Sequence, residues 1–164
     1  MTKTETFYHA KNKLSRYDKA TEQLMLTAMN FEDIASEKFS LSEIVFLLRR
    51  SFKERLTRKL VLNEDKMREY TDPSSGFCMY SSYLIYSMTG GNKVWELQGT
   101  NLHWWLYHKQ SGAIFDVTHT QFAPKEVCEI YKLGRPVSEL NKDDTFNDVL
   151  KMRAHTLAQR AGLE

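Results

Sequence analysis

Hydrophobic residues along this chain first recur at helical spacing. Leu14, Tyr17, Leu24, Met25 and Ala28 fall roughly in phase among polar neighbours, which predicts an opening helix. The stretch from Asn30 to Lys38 reads as a polar connection. Ser40-Leu41-Ser42-Glu43 then has the form of a capping box, in which Ser40 bonds the amide of Glu43 and Glu43 reaches back. Behind it Leu41, Ile44, Val45, Leu48, Phe52, Leu56 and Leu60 hold the helical period, predicting one helix of about twenty residues. Thr71-Asp72-Pro73-Ser74-Ser75-Gly76 is a loop by composition. It leads into a short helix from about Phe77 to Met88, with Phe77, Tyr80 or Ser81, Leu84, Ile85 and Met88 as its buried stripe. Gly90-Gly91 stops that helix.

The period then changes from helical to alternating. Val94 to Gln98 reads as a strand, His103 to His108 as a second, aromatic-rich strand, and Ala113 to Val117 as a third. Lys109-Gln110-Ser111-Gly112 joins the last two as an antiparallel hairpin, in which residues 103 and 118 pair approximately. After Pro124, Val127, Ile130 and Tyr131 suggest a short helix that Gly134-Arg135-Pro136 breaks. A last amphipathic helix spans about Asp144 to Ala161, with Phe146, Val149, Leu150, Leu157 and Ala158 inward. The sum is an α+β domain, helices packed on a small antiparallel sheet. Its helical N-terminal part covers about 1–70, a core about 71–123 and a helical C-terminal part about 124–164.

Composition adds limits. A chain of 164 residues with 41% hydrophobic and 27% charged residues suits one globular domain with its own core. Twenty-three basic and 21 acidic residues leave a net charge of +2, which predicts neither nucleic-acid nor membrane binding. One local exception is the basic cluster Arg49, Arg50, Lys53, Arg55, Arg58 and Lys59 on the long helix. It reads as a solvated surface or as a patch for an acidic partner. The polar start Met1 to Thr6 predicts no secretory signal, and no apolar run is long enough to span a bilayer. A cytoplasmic location, or delivery into a host cell, is expected. Two cysteines, Cys78 and Cys128, are few for a disulfide scaffold.

Candidate chemistry begins at Cys78, at the first turn of a helix that follows a Pro/Ser/Gly loop. Exposed amides and the macrodipole at such a position favour an anion, and the thiolate is the nucleophilic form of cysteine. The Cys78 amide also points where an oxyanion would form. A thiol nucleophile needs an imidazole within reach, and His103 opens the second strand. Asp116 lies near His103 across the ladder, and the parity of the pairing decides whether the two share a face. An aspartate there would hold the imidazole tautomer and support its charged form. Gly76-Phe77-Cys78-Met79-Tyr80-Ser81-Ser82, Leu102-His103-Trp104-Trp105-Leu106 and Ile114-Phe115-Asp116-Val117-Thr118 resemble the cysteine, histidine and aspartate segments of transglutaminase-like domains within the papain-like superfamily. The resemblance covers about 76–122. It implies Cys78 as nucleophile, His103 as general base and acid, Asp116 as the orienter of His103, and no cofactor. The reaction implied is acyl transfer from an amide through a thioester, as a protease, a glutamine deamidase or a transglutaminase.

For the oxyanion or substrate, Gln98 and Trp95 on the preceding strand, Trp105 and Thr118 are candidates. His119 and Gln121 follow the aspartate and could line the same cleft. Two other readings stay open. A zinc site could use Cys78, His103, His108, His119 and Asp116, although the usual ligand spacings are missing. A non-enzymatic interaction module could use the same fold, for instance as a bacterial or phage effector acting on one protein or peptide partner.

Overall fold

The structure is a computed structural model that describes residues 16–31, 33–64 and 72–164. Leu14, Thr71 and the polar start of the chain lie outside the described residues. Helix α1 (Arg16–Met29) buries Tyr17, Leu24 and Ala28. Helix α2 (Leu41–Phe52) begins with the complete capping box of Ser40 and Glu43, whose reciprocal bonds satisfy two amides of the first turn.

The long helix predicted through Leu60 is instead two. The Lys53 and Glu54 amides close on the Arg50 and Ser51 carbonyls, three residues back, and Glu54 is extended. A new helix, α3 (Arg55–Leu62), then starts with a different side inward. Its buried residues are Thr57, Arg58 and Val61, while Leu56 and Leu60 are 48% and 50% exposed. The basic cluster is correspondingly not one solvated face or one patch. Arg49 and Arg58 are buried, Lys53 pairs with Asp18, and Arg50, Arg55 and Lys59 are exposed.

Helix α4 (Cys78–Met88) is followed by Gly90, whose φ of 107° lies in the left-handed region that a side chain would strain. The chain then forms β1 (Trp95–Gly99), β2 (Trp104–His108) and β3 (Ile114–Phe115). Helix α5 (Pro124–Lys132) starts on the favourable proline of its first turn. The predicted breaker contributes a strand: β4 (Arg135–Pro136) pairs with Gln98 and Gly99, and a short helix α6 (Val137–Leu140) follows. Helix α7 (Asp144–Ala161) is capped by Asp143 at one end and by Gly162 at the other.

The four strands form one antiparallel sheet in the order β3-β2-β1-β4. The pairs Trp95↔His108, Leu97↔Leu106 and Leu106↔Phe115 give one face, which joins the hydrophobic core with Ile85 and Leu84 of α4. Helix α7 packs across α2, α3 and α4 on the far side of that core. On the other face, Gln98 stands opposite Trp105, and Trp105 is covered by Tyr131 and Gly134. A Cβ at Gly134 would sit 2.3 Å from the Trp105 ring, so that close approach requires glycine. No helix among the described residues is long and apolar enough to cross a membrane.

Candidate active site

Cys78 is the first residue of α4, and Phe77 at the cap position offers no side-chain cap. The first-turn amides of the helix are therefore not taken by a capping side chain. The loop before it is held from behind by Arg58, which donates to the Pro73 carbonyl (2.7 Å) and the Ser75 carbonyl (3.0 Å) and lies over the Phe77 ring. Phe77 in turn stacks on Phe52 at 4.5 Å between ring centroids. Arg58, Phe77 and Phe52 thus fix where the helix starts. Ser82, one turn into α4, donates to the Trp104 carbonyl at 3.2 Å and ties the helix to β2 beside His103.

The β2–β3 register places residue 106 opposite 115 and 107 opposite 114. Continued outward, it sets 103 against 118, so 103 and 116 fall on one side two residues apart. Their side chains meet: His103 Nε2 donates to Asp116 Oδ2 at 2.6 Å, in a pair that is almost wholly buried. Asp116 receives three more donors. The Tyr131 hydroxyl reaches the same oxygen at 2.6 Å, and the Thr118 amide (3.1 Å) and hydroxyl (3.3 Å) reach Oδ1. With Nε2–H committed to the carboxylate, chemistry assigns Nδ1 of the neutral ring as the acceptor.

The Cys78 thiol lies near enough to the His103 ring to favour its charged form. Nδ1 nevertheless completes no hydrogen bond of good geometry. Burial disfavours the charged imidazole, but the bonds and fields of Asp116 and Cys78 outweigh it and push the His103 pKa up to about 9. Burial also drives the Tyr131 hydroxyl well above its ordinary range, reinforced by Asp116, so it remains a proton donor. Burial pulls His119 down, against the field of Asp116.

The rest of the surround is aromatic. The His103 ring contacts Trp105 (5.8 Å) and the edge of Phe122 (5.0 Å). Asp72 binds the Ser74 amide and the Thr120 hydroxyl, joining the loop before Cys78 to the 3-10 turn His119–Gln121. Arg49, fully buried, donates to the Val117 carbonyl at 2.7 Å and braces the segment after Asp116.

Several sequence-based expectations are corrected here. Trp95 is not at this site: it is buried on the opposite sheet face, bonded to the Thr89 hydroxyl and packed on Phe31 and Phe115. Gln98 shares the face of Trp105, but both ends of its amide are occupied, by the Trp105 indole N–H and by Glu96. Trp105 is fully buried and backs the imidazole instead of walling an open cleft. Thr118 is also buried and serves Asp116, which leaves it no hydroxyl proton for a substrate. Tyr131 was expected only as part of a short helix, since nothing in its local pattern marks a partner fifteen residues away.

Cys78 and Cys128 are both free thiols, the first 7% exposed and the second on the surface. Among the described residues no three His, Cys, Asp or Glu side chains gather as a metal-holding group. No family model matches the chain, and neither a curated protein nor a solved structure matches it.

Proposed function

We propose that this protein is a cysteine-dependent acyl-transfer enzyme on a minimal papain/transglutaminase-like core, with Cys78, His103 and Asp116 as its catalytic triad. The observation that carries the reading is the buried His103–Asp116 bond with the Cys78 thiol acting on the same ring. Sulfur attacks an amide carbonyl. Cys78 attacks as the thiolate with its proton already on His103, and His103 gives that proton to the leaving amine, so that an S-acyl enzyme remains. Water as acceptor completes proteolysis or deamidation, and an amine completes transamidation. Asp116, held by four donors, keeps the ring tautomer and balances its charge.

One observation favours the second reading, a non-enzymatic interaction module: Cys78 is 7% exposed, so a substrate carbonyl has little access. Cys128 offers an internal reference, being the exposed cysteine of the same chain. The test is acylation of the full chain by p-nitrophenyl acetate, with each cysteine followed by peptide mass spectrometry. The enzyme reading expects acetyl transfer to Cys78 to outpace transfer to Cys128, and to fall at least tenfold in His103→Gln. Acylation of Cys78 slower than that of Cys128 would establish the interaction module instead.

A further inference from the structure

One oxygen of Asp116 carries two donors. His103 Nε2 and the Tyr131 hydroxyl each reach Oδ2 at 2.6 Å, while the Thr118 amide and hydroxyl take Oδ1. The Tyr131 O–H turns its positive end to Oδ2, and that end also faces the charged imidazole. A dipole so oriented offsets part of the carboxylate's attraction for the ring. Tyr131 reaches His103 by a second path as well. Its ring meets Trp105 edge-on at 5.0 Å between centroids, and Trp105 lies 5.8 Å from the His103 ring. The ring of Tyr131 alone would satisfy that packing. Its hydroxyl adds the bond to the buried carboxylate, and among the described residues it makes no other. Burial and Asp116 keep this hydroxyl protonated, so it stays a donor.

We infer that Tyr131 is a positioning residue that sets how readily His103 gives up its proton, by sharing Oδ2 and so restraining the pull of Asp116 on the charged ring. The role rests on the acyl-transfer reading, in which His103 holds a proton while sulfur attacks and then releases it to the leaving amine. Asp116 alone would hold the charged ring more tightly and make it a poorer acid. With Tyr131 on the same oxygen, the carboxylate still orients the ring while the proton leaves more easily. Helix α5 thus enters the chemistry without supplying a member of the triad. The other titratable groups on this side are few. Cys78 at the start of α4 favours the charged His103, as Asp116 does. His119 on the 3-10 turn faces His103, Asp72 and Arg49, and Arg49 on α2 also faces Asp116. Cys128, one turn earlier on α5, lies near enough to Tyr131 to favour its neutral form.

The test follows the titration of the His103 ring directly, by nitrogen–proton NMR of the imidazole in the full chain. Tyr131→Phe keeps the ring against Trp105 and removes the hydroxyl. It is expected to raise the His103 pKa by about 0.5–1 pH unit. A difluorotyrosine in place of Tyr131 keeps both ring and hydroxyl but donates more strongly, and it should lower the same pKa. In Asp116→Asn, adding Tyr131→Phe should change nothing further, because the effect passes through the carboxylate. A His103 pKa that is unchanged or lower in Tyr131→Phe, with folding verified by thermal melting, overturns the role. If the Phe variant does not fold, an unchanged or raised pKa in the difluorotyrosine protein overturns it equally. A rise that persists in Asp116→Asn removes the route through Oδ2. Should Cys78 be acylated no faster than Cys128, the acyl-transfer reading fails, and the titration still decides whether Tyr131 restrains the ring.

Discussion

At the scale of single residues, the controlling quantity is the charge on His103. Full burial penalises an imidazolium, yet the ring is held against a carboxylate that four donors fix in place. The outcome is a pKa of about 9 in place of the ordinary 6.5. Because the folded-state pKa is raised, the associated stability is complete below pH 6.5 and drains as pH rises through about 9. The shift corresponds to something on the order of 3 kcal/mol across that window. Urea unfolding at pH 6.5, 8 and 10 should therefore show falling stability in the wild type. Asp116→Asn should be less stable at pH 6.5 and should lose most of that slope. In the same variant, acetyl transfer to Cys78 should drop by about 10²- to 10⁴-fold, because the imidazole loses both its orienter and its counter-charge. A pH slope unchanged in Asp116→Asn would contradict the account of why the ring is charged.

At the scale of elements, the break between α2 and α3 matters more than the helices themselves. It rotates Arg58 inward, beneath the loop that delivers Cys78, and turns Leu56 and Leu60 outward. Arg58 is a positioning residue: its guanidinium holds the Pro73 and Ser75 carbonyls and covers Phe77. Arg58→Met preserves much of the apolar stem and removes both donors. It should cost about 2–3 kcal/mol, since each carbonyl loses a charge-assisted bond. Amide hydrogen exchange across residues 74–79 should rise, and Cys78 acylation should fall. Exchange that rises elsewhere but not in this loop would remove Arg58 from the site's support. The sheet contributes by register: a two-residue offset across β2–β3 brings His103 to Asp116, and α5 then adds Tyr131.

At the scale of the whole molecule, a single buried arginine links distant parts of the chain. Arg49 on α2 donates to the Thr21 hydroxyl and the Tyr17 carbonyl on α1, stacks on the Tyr17 ring at 4.0 Å, and donates to Val117 beside Asp116. Burial lowers its pKa, and the fields of Tyr17, Asp72, Asp116 and Asp18 oppose that fall. Helix α1 is thereby coupled to the segment that positions the carboxylate. Arg49→Met would leave the Val117 and Tyr17 carbonyls without this donor in a dry interior. A loss of about 3 kcal/mol is expected, read as a fall of roughly 10 °C in Tm for a chain of this size. A Tm within about 2 °C of wild type would mean that the two parts are held together by apolar contacts alone.

What was legible in the chain beforehand was what acts over a few residues. The Ser40–Glu43 cap, the helical period of α1, α2, α4 and α7, the strand alternation and the turn at Lys109 to Gly112 all satisfy local backbone groups, and local geometry follows from them. That turn also sets the register from which the proximity of His103 and Asp116 can be drawn. Other features depended on elements arriving from far away. Burial of Arg49 and Arg58, occupation of Gln98, removal of Trp95 to the far face, and delivery of Tyr131 to Asp116 each need a partner many positions distant. Periodicity reports which side of an element is apolar. Only packing decides what that side meets, because a buried polar group is governed by whichever donor or acceptor the fold brings to it.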